Sequence, residues 1–232
     1  MKRFIPQSLI ALLMLGAVIA VSPTAANGQG AGLVSSVLNR LEKNRASLKS
    51  LRAGVTMQKS NSQLGTVDTY NGLVLYIPGA GRSASVRIEW KSPQHEIIAV
   101  ENNKYTIYRP RLGTAIVGSN KGTPRAANGI MDMMYMSRQQ LESRFEPLQD
   151  VREETLWGNV STIHLTLVPK GNASYKYAEV WIDKDGMPVQ SKVVEKNDDS
   201  TITRLLSVEK NAKINKDDIA IKLDSNVKIV KG

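Results

Sequence analysis

The segment Ser85-Val86-Arg87-Ile88-Glu89-Trp90-Lys91 alternates apolar and charged residues without a break. That is the pattern of a β-strand with one buried and one solvated face, and it assigns Val86, Ile88 and Trp90 inward. The same period of two recurs along most of the chain. Val55 and Met57 alternate with polar neighbours, and in the next run Val67, Thr69, Asn71, Leu73, Leu75 and Ile77 share one face while Tyr70, Val74 and Tyr76 share the other. Further strands are predicted at Glu96 to Val100, Tyr105 to Tyr108, Leu112 to Val117, Ser161 to Val168, Lys176 to Asp183, Val189 to Lys196, Thr201 to Glu209, Ile219 to Leu223 and Val227 to Val230. Turn chemistry separates them at Pro78-Gly79-Ala80-Gly81, Asn102-Asn103, Trp157-Gly158-Asn159, Asp185-Gly186 and Asn197-Asp198-Asp199. About ten or eleven antiparallel strands at hairpin spacing predict a mainly β (α+β) chain, an incomplete antiparallel β-barrel with helices over its concave face.

Two helices stand out against this background. Leu33, Val34, Val37, Leu38, Leu41, Leu48 and Leu51 recur at three- and four-residue steps, which predicts an amphipathic helix of about 18 residues after a disordered stretch at Asn27 to Gly32. Ser137-Arg138-Gln139-Gln140 has the capping-box form, so a second helix should run to about Phe145, before Pro147. Just ahead of it, Met131, Met133, Met134 and Met136 supply half of the chain's eight methionines. Unbranched and polarizable side chains suit a deformable apolar lid, and they equally suit a core helix with Met as filler.

Composition narrows the classes of function. Lys2 and Arg3, the apolar run Leu9 to Val21 and the small residues to Ala26 read as a secretory signal peptide over residues 1–26, which makes the remainder, 27–232, an exported single domain. The chain has no cysteine, so neither a disulfide nor a lipid anchor on cysteine is available. Net charge is +10, but the basic residues are scattered, without the stripe or interleaved aromatics of a nucleic-acid binder. His95 and His164 stand alone on predicted strands, and no metal-ligand spacing, nucleophile elbow or phosphate loop is present. The expectation is a non-enzymatic protein without metal or cofactor.

One order of motifs goes further. Gly72-Leu73-Val74-Leu75 before a proline, Arg87-Ile88-Glu89-Trp90-Lys91-Ser92-Pro93, Tyr105-Thr106-Ile107-Tyr108-Arg109-Pro110, Leu167-Val168-Pro169-Lys170, and Trp181-Ile182-Asp183 with Gly186-Met187-Pro188 follow one another. This order resembles the LolA-like carriers that ferry lipoproteins across the periplasm. The resemblance implies a monomer that hides acyl chains in an apolar cavity, taking lipoproteins or lipids from an inner-membrane exporter to an outer-membrane receptor. It places Leu73, Leu75, Val86, Ile88, Trp90, Ile107, Ile130, Met133, Met134 and Leu141 at the cavity and lid, with Arg87 and Tyr108 as a polar gate. Ile77 stands before Pro78 where many such carriers have an arginine, so the arginine latch of those proteins does not carry over. A lipid-sensing regulator on the same scaffold, a carrier of free lipids or glycolipids, and a β-domain filled by its own side chains are the competing expectations.

Overall fold

The structure is a computed structural model that describes residues 26–79, 84–119, 134 and 136–232, with side chains from residue 32 onward. The expected signal peptide falls on residues outside these, apart from Ala26. Twelve strands form one sheet, in the order β12-β6-β5-β4-β3-β2-β1-β11-β10-β9-β8-β7, and its two end strands do not pair with each other. They are β1 (Leu51–Asn61), β2 (Thr66–Ile77), β3 (Ser85–Ser92), β4 (Glu96–Glu101), β5 (Lys104–Arg109), β6 (Thr114–Ser119), β7 (Gln149–Leu156), β8 (Val160–Leu167), β9 (Tyr175–Asp183), β10 (Pro188–Glu195), β11 (Ser200–Lys210) and β12 (Lys228–Lys231). Twisted strands in this number curl instead of lying flat, so the sheet has an inner and an outer face. The expected mainly β, unclosed architecture is what the chain adopts.

Among the described residues, α-helices accompany the sheet at α1 (Ala26–Ser47), α2 (Arg138–Arg144) and α3 (Lys216–Ile219). The capping box expected at α2 is formed in both directions, with Ser137 Oγ accepting from the Gln140 amide at 3.2 Å and Gln140 Oε1 accepting from the Ser137 amide at 2.9 Å. Helix α1 differs from expectation at both ends. Its backbone includes residues 27–32, expected to be disordered, because no proline interrupts propagation toward Ala26. It stops at Ser47, and Leu51 opens β1, where it is fully buried between Tyr76 and Lys210 on the neighbouring strands.

Other corrections concern the strand list. Strand β7 lies at the sheet edge, and its charges at Asp150, Arg152, Glu153 and Glu154 blunt that edge while hiding the period of two. Ile219 to Leu223 forms no strand, since Asp218 turns back to accept from the Asn215 amide at 2.8 Å and starts α3 there. The last strand, β12, pairs with β6 in parallel.

The register assigns each apolar residue to a face. Leu51, Ala53, Val55 and Met57 of β1 point inward with Tyr76, Val74 and Tyr70 of β2 and with Leu205 of β11. On the far side, Ile163, Leu165 and Leu167 of β8 share the inner face with Ile182, Val180 and Ala178 of β9. These last six are buried in one cluster with Val37, Leu38 and Leu41 of α1 and with Met136, Leu141 and Phe145 around α2. The β9–β10 turn fixes where α1 lies. Gly186 has a φ of +84°, and a Cβ there would fall well inside contact distance of the Arg40 carbonyl, so only glycine lets the helix backbone rest on that turn.

Candidate functional site

Beyond β1 the inner face changes character. Two rows of side chains run across it, Tyr76, Val86, Val100 and Tyr105 in one, and Val74, Ile88, Ile98 and Ile107 in the other. Trp90 extends this surface, its ring edge-on to Tyr70 at 5.8 Å and lying against Gly72. A Cβ at Gly72 would meet the Glu89 carbonyl and the Trp90 ring, which is why the strand needs glycine at this register shift. Met134 is 2% exposed and packs into the cluster these residues form.

A cavity of about 340 Å³ opens where Met134 meets this surface. Its apolar lining comes from Leu48, Tyr76, Pro78 and Met134, and its polar lining from Arg45, Ser137 and Gln140. Burial pushes the Tyr76 hydroxyl up to about 12, so the phenol stays neutral throughout the physiological range. At the opposite wall Glu42 and Arg45, in the last two turns of α1, form an ion pair. The Arg45 guanidinium holds the Glu42 carboxyl below its usual range, with the Arg138 amide at the start of α2 adding to the effect.

With this geometry in view, comparisons with known proteins take on a specific meaning. The family described as outer membrane lipoprotein carrier protein LolA matches residues 48–221, well over half of the chain. The chain belongs to the LolA family. Its fold is similar to that of an uncharacterized conserved protein from Thermus thermophilus, at 12% identity and a TM-score of 0.55, covering 85% of this chain and 98% of that one. It is similar also to MucB, at 15% identity and a TM-score of 0.55, covering 87% of this chain and 66% of that one. A weaker likeness, with a TM-score of 0.47 at 16% identity, is to the Mycobacterium tuberculosis lipoprotein LppX, covering 80% of this chain and 99% of that one. No curated protein matches the sequence. The family is one of carriers, and among the described residues no group of His, Cys, Asp or Glu could hold a metal ion.

Within the LolA scaffold the residues singled out from sequence separate into three groups. Val86, Ile88, Trp90, Ile107 and Met134 come together on the inner face or against it. Leu141 is buried in the other cluster, beneath α1. Leu73, Leu75, Arg87 and Tyr108 all sit on the outer face, opposite the cavity, and Ile130 and Met133 lie outside the described residues.

The outer placement has a physical cause. Helix α3 crosses the outer face over β2, β3 and β4, where Ile219 is fully buried and Arg87 donates to the Ala220 carbonyl at 2.9 Å. Leu75 and Arg87, cross-strand partners, thus seat the C-terminal segment, while Leu73 remains 44% exposed. Arg87 also lies 3.4 Å from Glu89, which His95 approaches at 3.3 Å. His164 is likewise engaged on the outer face, against Trp181 and the Asp150 carbonyl.

Sequence reading missed Val74, Tyr76, Ile98 and Val100 as inner-face residues, and Arg45 as part of the cavity wall. Gly72 carried the signal for β2. A glycine two residues before Val74 marks the side on which a large ring must fit.

Proposed function

We propose that this protein shields the acyl chains of lipid-modified cargo against the inner face of β2 to β5, in the periplasm, between an inner-membrane donor and an outer-membrane acceptor. One observation carries the reading: the apolar row from Tyr76 to Tyr105, beside that from Val74 to Ile107, meets through Tyr76 a cavity that Met134 also lines. Membership in a carrier family supports it. So does the physics of the cargo. Each buried methylene is worth about 0.8 kcal/mol, so a pair of tails of roughly 15 carbons each would expose on the order of 20 kcal/mol of unfavourable surface in water. The cavity stands at the lower end of the size of ligand sites, so a long tail requires Met134 and its neighbours to give way.

The three tryptophans provide a test. Trp90 is on the inner face, whereas Trp157 and Trp181 are not. A diacyl lipopeptide with brominated tails should quench fluorescence in a saturable way, and Trp90→Phe should remove the saturable part while circular dichroism is unchanged. Saturable quenching that survives in Trp90→Phe would place the lipid elsewhere and overturn the reading.

A further inference from the structure

We propose that the cavity selects lipids with an anionic head, a carboxylate or a phosphate, and that Arg45 is the group that receives it; this rests on the lipid-binding reading above. Arg45 stands on the same cavity as the apolar Leu48, Tyr76 and Met134, so a tail on that lining leaves its polar end beside the guanidinium. Arginine has five N–H donors in a planar fork suited to carboxylate and phosphate. Two are engaged by Glu42, Nε at 3.3 Å to Oε2 and Nη2 to Oε1. Among the described residues, no hydrogen bond engages the remaining three.

Glu42 shows what this wall is built to hold. A carboxylate already rests on the fork, in the two-point geometry an acidic head would use. The Arg138 amide also favours the charged form of Glu42, a smaller influence than that of Arg45. The pair is partly exposed, and exchange of one exposed anion for another costs little. Among the described lining residues none is acidic, and the nearest carboxylate described, Glu42, is already paired with Arg45. Ser137 and Gln140, the other polar lining residues, are neutral and held to each other by the capping box.

The test compares three probes with the same tail on the full chain: oleate, oleoyl lysophosphatidate and oleyl alcohol, each displacing a neutral fluorescent lipid. Both anions, or the one whose head fits, should bind about tenfold more tightly than the alcohol, the size expected for one charge-assisted contact. The anion that shows the preference identifies the source as fatty acid or phospholipid. Arg45→Gln should erase the preference and leave alcohol binding within about twofold, and Arg45→Lys should recover part of it. Glu42→Gln, which frees the fork, should strengthen anion binding by about threefold. Equal binding of anions and alcohol by the unaltered chain, or a preference that survives Arg45→Gln, overturns the inference and leaves the hollow intact as a lipid site. Failure of all three probes to bind removes the lipid-binding reading itself.

Discussion

One sheet carries two inner surfaces built from the same alternation. Ile163, Leu165 and Ile182 on β8 and β9 meet the apolar stripe of α1 and the residues around α2, and the result is a filled core. Ile88, Ile98 and Val100 on β3 and β4 lie on the same face of the same sheet, yet they belong to the cluster whose members Tyr76 and Met134 line an open volume. Strand pattern alone does not separate the two. What separates them among the described residues is what packs above, α1 with the residues around α2 in one case and Met134 in the other. A buried isoleucine is therefore scaffold on one side of β1 and candidate binding surface on the other.

The largest expected effect comes from unseating the helix. Gly186→Ala combines a left-handed backbone with a collision against the Arg40 carbonyl, and we expect it to cost at least about 3 kcal/mol in urea unfolding. A loss below about 0.5 kcal/mol would mean that α1 does not rest on that turn and that the filled half is not held as described. The next effect compares the halves directly. Ile182→Ala should cost about 4 kcal/mol, while Ile88→Ala, in the cluster whose Tyr76 and Met134 border the cavity, should cost about 2. Equal losses would erase the distinction.

The last effect is a pH dependence on the open side. The Tyr76 hydroxyl is raised to about 12 by burial, so the unfolded chain releases this proton near pH 10 and the folded chain does not. Stability from this group is complete below pH 10 and falls as pH rises from 10 to 12. Tyr76→Phe should flatten that part of the stability curve. An unaltered slope would show that the phenol is more solvated than its burial indicates.

Much of this was legible from sequence where a single local rule governs. The alternation in β3 gave its faces because one side meets water and the other does not. Ser137 and Gln140 announced α2 because capping is settled within four residues. Legibility failed where a remote element decides. Leu73, Leu75 and Ile77 form the more aliphatic side of β2, but α3, contributed by residues more than 130 positions away, takes that side, and the inner side goes to Val74 and Tyr76. Strand β7 was hidden by the charges that protect its edge. Arg45 carries no local sign of its role, since a basic residue in the last turn of a helix is expected anywhere.

The unpaired margins at β7 and β12 have a mechanical consequence. In a closed cylinder the hydrogen-bond ladder sets the circumference, and enlarging the interior means breaking a row of bonds. Here the two rims can move apart by flexing the strands between them, with every rung of the ladder kept. Enlarging the interior then changes curvature and leaves the ladder whole.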